Sequence, residues 1–301
     1  MSRGSATREV MAEVALRMFA ERGIDAVSLR EITTASGQRN KSAAQYHFGT
    51  KEQLVREIFE RHTGQVNAHR HRLLATLRER TGRPTLEELA DVLIRPLAET
   101  VDGHSHYARF LAQVSTPPWT GALVRADPAA TQSVQTVFTA LAQLLDDLPE
   151  PVLRTRLALA MMLTVRALSA CEHTMAPGGG PDGAQPDDVR ADDTRPDDVR
   201  ADDTRPDDVR ADDTRPDDVR AGGTQGDDVR ADEAGADGAQ TADARRVALL
   251  AAQLVDITVG ILRAPVSETT RNLLPPAPHT PASAAGDTWP WHLLIGAEAG
   301  L

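Results

Sequence analysis

Side chains that can hydrogen-bond to nucleic-acid bases and phosphates are concentrated between residues 28 and 51. Lysine can reach guanine acceptors or a phosphate, glutamine can pair with adenine, and an alanine methyl can contact the methyl group of thymine. Tyrosine and lysine also suit phosphate contacts, which fix the register of a protein on DNA without reading its sequence. The residues that we expect to face DNA are Ser28, Arg30, Arg39, Asn40, Lys41, Ser42, Ala43, Gln45, Tyr46, His47 and Lys51.

The pattern around these side chains predicts short helices joined by a tight turn. Ser28 and Glu31 have the spacing of a capping box, which marks the start of a helix. Gly37 is placed to end that helix in a left-handed conformation. A second short helix is expected from Lys41 to His47, and a further capping box at Thr50 opens the next one. Two short helices around such a turn form a helix-turn-helix, whose second helix enters the major groove. The alternative is a helical hairpin that merely carries polar residues on its outer face.

This stretch and the helix before it resemble the TetR family of transcriptional regulators. The resemblance spans roughly residues 7 to 60 and is carried by ALRMF at 15–19, VSLREI at 27–32 and QYHFGTKE at 45–52. The most specific part is Tyr-His-Phe, one linking residue and then Thr-Lys-Glu. Between Gly37 and Tyr46 the chain is one residue longer than the common family pattern, which predicts a longer turn. The resemblance implies an all-α fold, a homodimer, repression, and a ligand bound in the second half of the chain.

Apolar spacing along the chain agrees with an all-α fold. We expect a three-helix helix-turn-helix domain at 1–50 and a helical ligand-binding and dimerisation domain at 51–263. An acidic loop at 177–241 and a tail at 264–301 are predicted to be disordered. Helices are predicted at 6–22, 50–80, 85–101, 107–114, 127–145, 152–175 and 244–263.

The net charge of −11 is unusual for a DNA-binding protein, but the charge is segregated. Residues 1–80 contain 14 Lys and Arg against 9 Asp and Glu, a net charge of +5. Residues 182–243 contain 8 Arg against 21 Asp and Glu, a net charge of −13. The acidic balance therefore belongs to one segment and does not argue against a basic DNA-binding face.

That acidic segment contains a ten-residue repeat, PDDVRADDTR, at 186–195, 196–205 and 206–215. With one valine per unit and no aromatic residue, it cannot bury enough apolar surface to offset the entropy of ordering. Expansion of a tandem repeat is the first interpretation. Paired aspartates that bind Ca²⁺, or a segment that mimics the charge of DNA and competes for the basic face, are the alternatives.

Two late helices have the spacing expected of a dimer interface. The helix at 244–263 shows a heptad-like apolar seam, and the helix at 152–175 has a broad apolar face, so we expect the two to pack together. A role in the core of one subunit is the alternative. The residues predicted at the interface are Leu157, Met161, Leu168, Leu250, Leu254, Ile257 and Ile261.

Candidate ligand contacts are the aromatic, soft or charged side chains among the apolar helices, although ordinary core packing would also explain them. Arg166 would suit an acidic ligand or a buried carboxylate partner. The His- and Arg-rich stretch 61–72 is interpreted as a solvated face rather than a metal site. The candidates are Tyr107, Phe110, Trp119, Phe138, Met162 and Arg166.

The function predicted from these features is that of a homodimeric transcriptional repressor bound to a palindromic operator in double-stranded DNA and released by a small-molecule effector. We expect no enzyme activity, cofactor or metal site, because the chain lacks the phosphate-loop, HExxH, GxSxG and paired-cysteine motifs. No apolar run is long enough to span a bilayer, so a cytoplasmic protein with no membrane partner is expected. The alternative is a protein-interaction module that uses the acidic loop and binds little DNA.

Overall fold

The computed structural model describes residues 3–116, 119, 123, 128–176 and 228–274. The chain divides into two compact units, residues 1–179 with 240–301 and residues 180–239. All described residues are in helices, turns or irregular segments, and no strand occurs among them. The fold predicted from the sequence, an all-α protein with an amino-terminal helix-turn-helix, is therefore confirmed.

The first three helices have the predicted starts and stops within a few residues. They are α1 (Arg3–Arg22), α2 (Leu29–Ala35) and α3 (Ala43–Phe48). Ser28 caps α2 and forms both hydrogen bonds of the capping box with Glu31. Gly37 follows with φ +70°, and its N–H donates to the carbonyl of Thr34 while that of Gln38 donates to the carbonyl of Thr33. This pair of hydrogen bonds ends α2, because it satisfies carbonyls that the helix leaves free.

Helix α3 begins two residues later than predicted and is one residue shorter. It begins at Ala43 rather than Lys41, so residues 36–42 form the connection. In this connection, the N–H of Ser42 donates to the side-chain oxygen of Asn40 at 3.1 Å. Lys41 consequently lies in the turn just before the helix and not in its first turn.

Helix α4 (Lys51–Glu79) belongs to both halves of the first unit. Thr50 and Gln53 form its predicted capping box. Leu54 and Ile58, on its first two turns, are almost fully buried in the same core as α1 and α2. The remaining turns of α4 lie among the helices that follow it in the chain. The predicted domain boundary at residue 50 therefore falls at the start of a helix that both halves share.

The helices that follow enclose the second part of the core. They are α5 (Leu86–Ala98), α6 (Tyr107–Val114), a 3-10 turn (Pro128–Thr131), α7 (Gln132–Leu144) and α8 (Glu150–Met175). The capping box predicted for α5 is present, formed by Thr85 and Glu88. Phe110 of α6 stacks on Phe19 of α1 with 6.4 Å between ring centroids, which ties this core to the amino-terminal helices.

The last described helices differ from the sequence prediction. Helix α9 (Asp228–Arg263) begins well before residue 244, inside the segment 177–241 predicted as a disordered loop. A short helix, α10 (Glu268–Leu273), is capped by Ser267 within the tail predicted as disordered. The rest of the acidic repeat and of the tail, from 177 to 227 and from 275 to 301, lies outside the described residues. In the part of the chain that is described, no helix is both long and apolar enough to cross a bilayer.

Helices α8 and α9, which were predicted to pack together, approach each other in an antiparallel orientation. The guanidinium of Arg156, near the start of α8, donates to the carbonyl of Leu262 at 2.9 Å, near the end of α9. At the other end, the thiol of Cys171 lies near Asp243 and Arg246. Burial raises the pKa of this thiol, and the charges of Asp243 and Arg246 respectively raise and lower it. The two helices therefore form one paired layer of the core.

Candidate nucleic-acid interface

A buried threonine holds the two helices of the helix-turn-helix together. Thr33 of α2 is 1% exposed, and its hydroxyl donates to the carbonyl of Leu29 at 2.9 Å. The same oxygen accepts the N–H of Ala44, in the first turn of α3, at 3.2 Å. Because the first N–H groups of a helix have no partner within it, this hydrogen bond fixes where α3 starts against α2.

Phe48 anchors the other end of α3. Its ring is 4% exposed, and the guanidinium of Arg8 lies over it, 5.0 Å from the ring centroid. Arg8 is held there by an ion pair with Glu57 of α4, with Nε 3.0 Å from Oε1. This ion pair raises the pKa of Arg8, so that side chain stays charged against the ring. Helix α3 is thus fixed at both ends, and its polar side faces outwards.

The outer surface of α2 and α3 forms a shallow groove with polar walls. Arg30 of α2 and Lys41, Ser42 and Gln45 of the turn and α3 line it together with Leu29 and Thr33. Lys41 and Gln45, whose burial would have ended the DNA-binding interpretation, are both exposed. Tyr46 is 83% exposed and makes an edge-on contact with the half-buried ring of His47. Arg39 and Asn40 are also exposed.

The basic side chains of this surface are free of carboxylates. Arg30, Arg39 and Lys41 form no ion pair with any residue that the structure describes. The nearest carboxylate in the motif, Glu31, accepts the backbone N–H of Ser28 and is paired with Arg22, and these bonds lower its pKa to about 2. Unpaired cations on an exposed face are what a polyanionic surface such as DNA requires.

Three of the residues predicted to face DNA have a different or additional role. Ala43 is only 6% exposed and packs in the core, so the structure contradicts a contact between its methyl and thymine. Ser28 is exposed, but its hydroxyl is used in the capping box with Glu31. Lys51 directs its ammonium at the carbonyls of Ile24, Asp25 and Val27, at 3.0, 3.4 and 3.3 Å, instead of leaving it free for a phosphate.

The second half of the same unit contains a cavity of about 220 Å³. Three of the six predicted ligand contacts, Tyr107, Met162 and Arg166, line it. The other three do not: Phe110 and Phe138 are buried in the core, and Trp119 is half-buried away from the lining. The helices α4, α5, α6, α7 and α8 all contribute to the wall.

Sequence reasoning missed the residues that α4 contributes to this wall. Within the stretch interpreted as a solvated face, Arg70 is 3% exposed, and Thr63, Val66 and Asn67 also line the cavity. The hydroxyl of Thr63 lies 2.8 Å from that of Tyr107, whose pKa is raised to about 12, chiefly by burial. The missed signal is the four-residue spacing of Val66 and Arg70, which places both on one face of α4.

A buried carboxylate fixes α6, which lies between the cavity and α1. Glu172 of α8 is fully buried and accepts the N–H groups of Ala108 and Arg109 at 3.1 and 2.9 Å. It also pairs with the guanidinium of Arg109, with Nε 3.3 Å from Oε2. A carboxylate at the amino end of a helix satisfies its free N–H groups and its positive dipole. The first turn of α6, including Tyr107, is thereby held against α8.

The residues predicted at a dimer interface are mostly part of the core of one subunit. Leu157, Met161, Leu168 and Leu254 are each less than 10% exposed, while Leu250 and Ile261 are half-buried. Of the seven, Ile257 alone is exposed, at 46%. The burial is explained by the fact that both helices contribute to one core cluster of the chain. Four other large apolar side chains of the two helices are also exposed, and one of them, Met162, lines the cavity as well. They are Leu159, Met162, Leu163 and Leu249.

One comparison with known proteins agrees with the amino-terminal geometry. Residues 12–58 match the family model of the bacterial regulatory proteins of the tetR family. The chain is similar to a solved structure of a protein from Mesorhizobium loti MAFF303099 that is named as a TetR-family transcriptional regulator. The two sequences are 17% identical, and the match covers 56% of this chain and 86% of the other. The TM-score of that pair is 0.36. The comparison with curated proteins gave no match.

Proposed function

Since residues 12–58 form an amino-terminal domain of the TetR family of bacterial regulatory proteins, we propose that the chain is a homodimeric repressor of transcription. It binds a palindromic operator and leaves it when a small molecule occupies the cavity. The observation that carries the proposal is the groove of α2 and α3, in which unpaired Arg30 and Lys41 stand beside exposed Gln45. A rigidly held helix with free cations and an amide is suited to the major groove.

Within this groove the residues have different roles. Gln45, on the exposed side of α3, pairs with an adenine edge, and Lys41 reaches a guanine acceptor or a phosphate. Tyr46 and Arg39, which are both exposed, contact phosphates, and these contacts set the register of α3 on the duplex. Because α3 is short and follows a long turn, Lys41 approaches DNA from the turn and not from the helix.

Two copies of the helix-turn-helix must be about 34–36 Å apart to read successive major grooves. Helices α8 and α9 supply the surface that joins two chains. Leu159 and Leu163 of α8 are 48% and 40% exposed, and Ile257 of α9 is 46% exposed. Since these apolar side chains lie on paired helices, a second copy would cover them by forming a four-helix bundle.

Helix α4 links ligand binding to DNA binding. Its first turns, with Leu54 and Ile58, are buried in the core of the helix-turn-helix. Its middle turns, from Phe59 to Arg70, line the cavity. A ligand that prefers one tilt of α4 therefore changes the distance between the two recognition helices. The affinity for the operator falls by the factor by which the ligand prefers that state.

The DNA-binding part of the proposal is tested with duplex fragments selected by the purified protein from a genomic library. Binding should weaken steeply with salt, because each phosphate contact contributes about −0.9 to the slope of log K against log salt concentration. Lys41→Ala should weaken binding, by about tenfold if the lysine contacts a guanine. Arg78→Ala removes the same charge from an exposed position of α4 far along the helix and should leave binding unchanged. If no fragment is selected, the interaction-module alternative gains and this proposal fails.

The dimer is tested independently by sedimentation of the protein without DNA. Ile257→Glu places a charge on the exposed face of α9 and should convert the dimer to a monomer. Leu273→Glu alters an equally apolar side chain that is 80% exposed on α10, outside this face, and should remain a dimer. A variant at Ile257 that still sediments as a dimer would place the interface elsewhere.

A further inference from the structure

The cavity wall contains a buried positive charge with no negative partner. Arg70 is 3% exposed and lines the cavity. Among the described residues, no carboxylate forms an ion pair with it, although Arg109, the other buried arginine, is paired with Glu172. An isolated buried charge is costly, so proteins normally pair it.

The hydrogen bonds of Arg70 leave part of the guanidinium unused. Nη1 donates to the side-chain oxygens of Asn67 and Ser133 at 3.1 and 2.9 Å, and Nη2 donates to the carbonyl of Leu93 at 3.2 Å. All three acceptors are neutral. Nε is buried and has no hydrogen-bond partner within the described part of the chain. Of five N–H donors, Nε–H and one hydrogen of Nη2 remain.

The side chain is nevertheless charged at neutral pH. Burial lowers the pKa of Arg70, to about 10, which is still well above 7. Asn67 and Ser133 also bind each other, with Ser133 Oγ 2.6 Å from Asn67 Oδ1, so the guanidinium is held in a fixed position. The site therefore presents an oriented cation whose charge no described carboxylate compensates, and a carboxylate is an anion that pairs well with a guanidinium.

The remainder of the wall favours a ligand whose body is apolar. It consists largely of apolar side chains such as Phe59, Leu97, Leu111 and Val134. Arg166 is a second, exposed cation in the lining, and no Asp or Glu is among the described residues that line the cavity. A neutral ligand would leave the charge of Arg70 uncompensated, and a cation would add to it.

We propose that the effector of this protein is a small monocarboxylate with an apolar body, whose acid group pairs with the guanidinium of Arg70. The proposal rests on the proposed function, because it names the ligand class for the same cavity. A cavity of roughly 150 Å³ holds benzene, so the 220 Å³ found here accommodates such a body with one carboxylate attached. Thr63 and Tyr107, whose hydroxyl groups bond each other, line the same cavity.

The test uses the full-length protein and pairs of ligands that differ only in charge. Benzoate, phenylacetate, hexanoate and octanoate are each compared with the corresponding amide by titration calorimetry at pH 7. At least one acid should bind, with an affinity at least about tenfold higher than that of its amide, because a charge-assisted pair replaces a neutral hydrogen bond. This comparison needs no variant and so does not depend on how a substitution at Arg70 affects folding.

Two variants then assign the preference to Arg70. Arg70→Met keeps the length of the side chain and removes the charge, so the acid and its amide should bind about equally. Arg70→Lys keeps the charge without the planar fork and should retain part of the preference. Arg72→Gln removes a charge from an exposed position two residues along α4 and should behave as the unaltered protein.

Equal binding of acids and amides to the unaltered protein would overturn the proposal, as would a preference for acids that survives in Arg70→Met. Failure of all four acids to bind at millimolar concentration would overturn it too. Selection of DNA fragments is measured without any ligand. A protein that binds DNA but no carboxylate would therefore refute this inference alone, whereas one that binds carboxylates but no DNA would refute the proposed function.

Discussion

Lys51, a basic residue at the edge of the helix-turn-helix, has two possible roles: to contact a phosphate of DNA or to bind backbone carbonyls of its own chain. Its ammonium lies 3.0 Å from the carbonyl oxygen of Ile24 and 3.4 and 3.3 Å from those of Asp25 and Val27, in the segment that joins α1 to α2. Position 51 is also the first residue of α4, where the helix dipole disfavours a cation. The three carbonyls explain why a lysine is stable there, and they give it a structural role.

Lys51→Met keeps most of the apolar length of the side chain and removes the hydrogen bonds. A hydrogen bond to a charged group stabilises a protein by about 1.5 to 3 kcal/mol. Only one of the three distances is short and the side chain is half exposed, so we expect a loss near the lower limit, about 1.5 kcal/mol. The free energy of unfolding is measured by urea denaturation followed by circular dichroism.

Lys41→Met is the matched comparison, because Lys41 is exposed and forms no ion pair with a described residue. It should change the free energy of unfolding by less than about 0.5 kcal/mol. If Lys41 contacts a phosphate, it should also lower the salt slope of DNA binding by about 0.9. Lys51→Met should leave that slope unchanged once the protein is folded. The reasoning is refuted if Lys51→Met keeps full stability and loses the slope instead, since its ammonium would then bind a phosphate.

Three further predictions concern groups that position the site. Thr33→Val removes the acceptor for the N–H of Ala44 and should cost about 1 kcal/mol of stability and weaken DNA binding. Stability is measured by urea denaturation and DNA binding by fluorescence anisotropy, and no change in either would contradict the prediction. Glu172→Gln leaves the guanidinium of Arg109 buried without a counter-charge and should lower the free energy of unfolding by about 3 kcal/mol; a thermal midpoint equal to that of the unaltered protein would contradict this. The folded-state pKa of Glu31 is about 2, below its ordinary 4.5, so its stabilising effect is present above pH 4.5 and is lost as the pH falls towards 2. The thermal midpoint of Glu31→Gln should therefore lie below that of the unaltered protein at pH 6 and approach it at pH 3, and a constant difference would exclude this linkage.

The features that the sequence predicted well depend on residues close together in the chain. The capping boxes at Ser28, Thr50 and Thr85 were each predicted from two residues three positions apart, and each is present with both hydrogen bonds. Such a box is closed within one helical turn, so no distant residue needs to be known. The left-handed conformation of Gly37 is local for the same reason.

The features that the sequence did not predict depend on what packs against a residue from elsewhere. Ala43 and Gln45 lie two positions apart, yet one is buried and the other exposed, and this depends on how α3 is rotated against α2. Arg70 lies among other His and Arg residues in sequence, and its position becomes interior because α5 and α7 pack against it. Ile257 is exposed while Leu254 is buried, because only Leu254 lies on the side of α9 that joins the core cluster.

The position of Arg70 on α4 bears directly on how a bound anion could affect DNA binding. Lys51 and Arg70 are on one continuous helix, and at 1.5 Å per residue they are roughly 28 Å apart. A tilt of about 5° around Arg70 would therefore displace the Lys51 end, and the carbonyls it holds, by about 2.5 Å. Hydrogen bonds to base edges are lost over a few tenths of an ångström, since their donor–acceptor distances span only about 2.7–3.2 Å. A charge that draws Arg70 slightly towards the cavity could thus disrupt readout by Gln45 without any local unfolding of the helix-turn-helix. The carboxylate should for this reason lower operator affinity in the unaltered protein and leave it unchanged in Arg70→Met, a difference measurable by anisotropy at fixed salt.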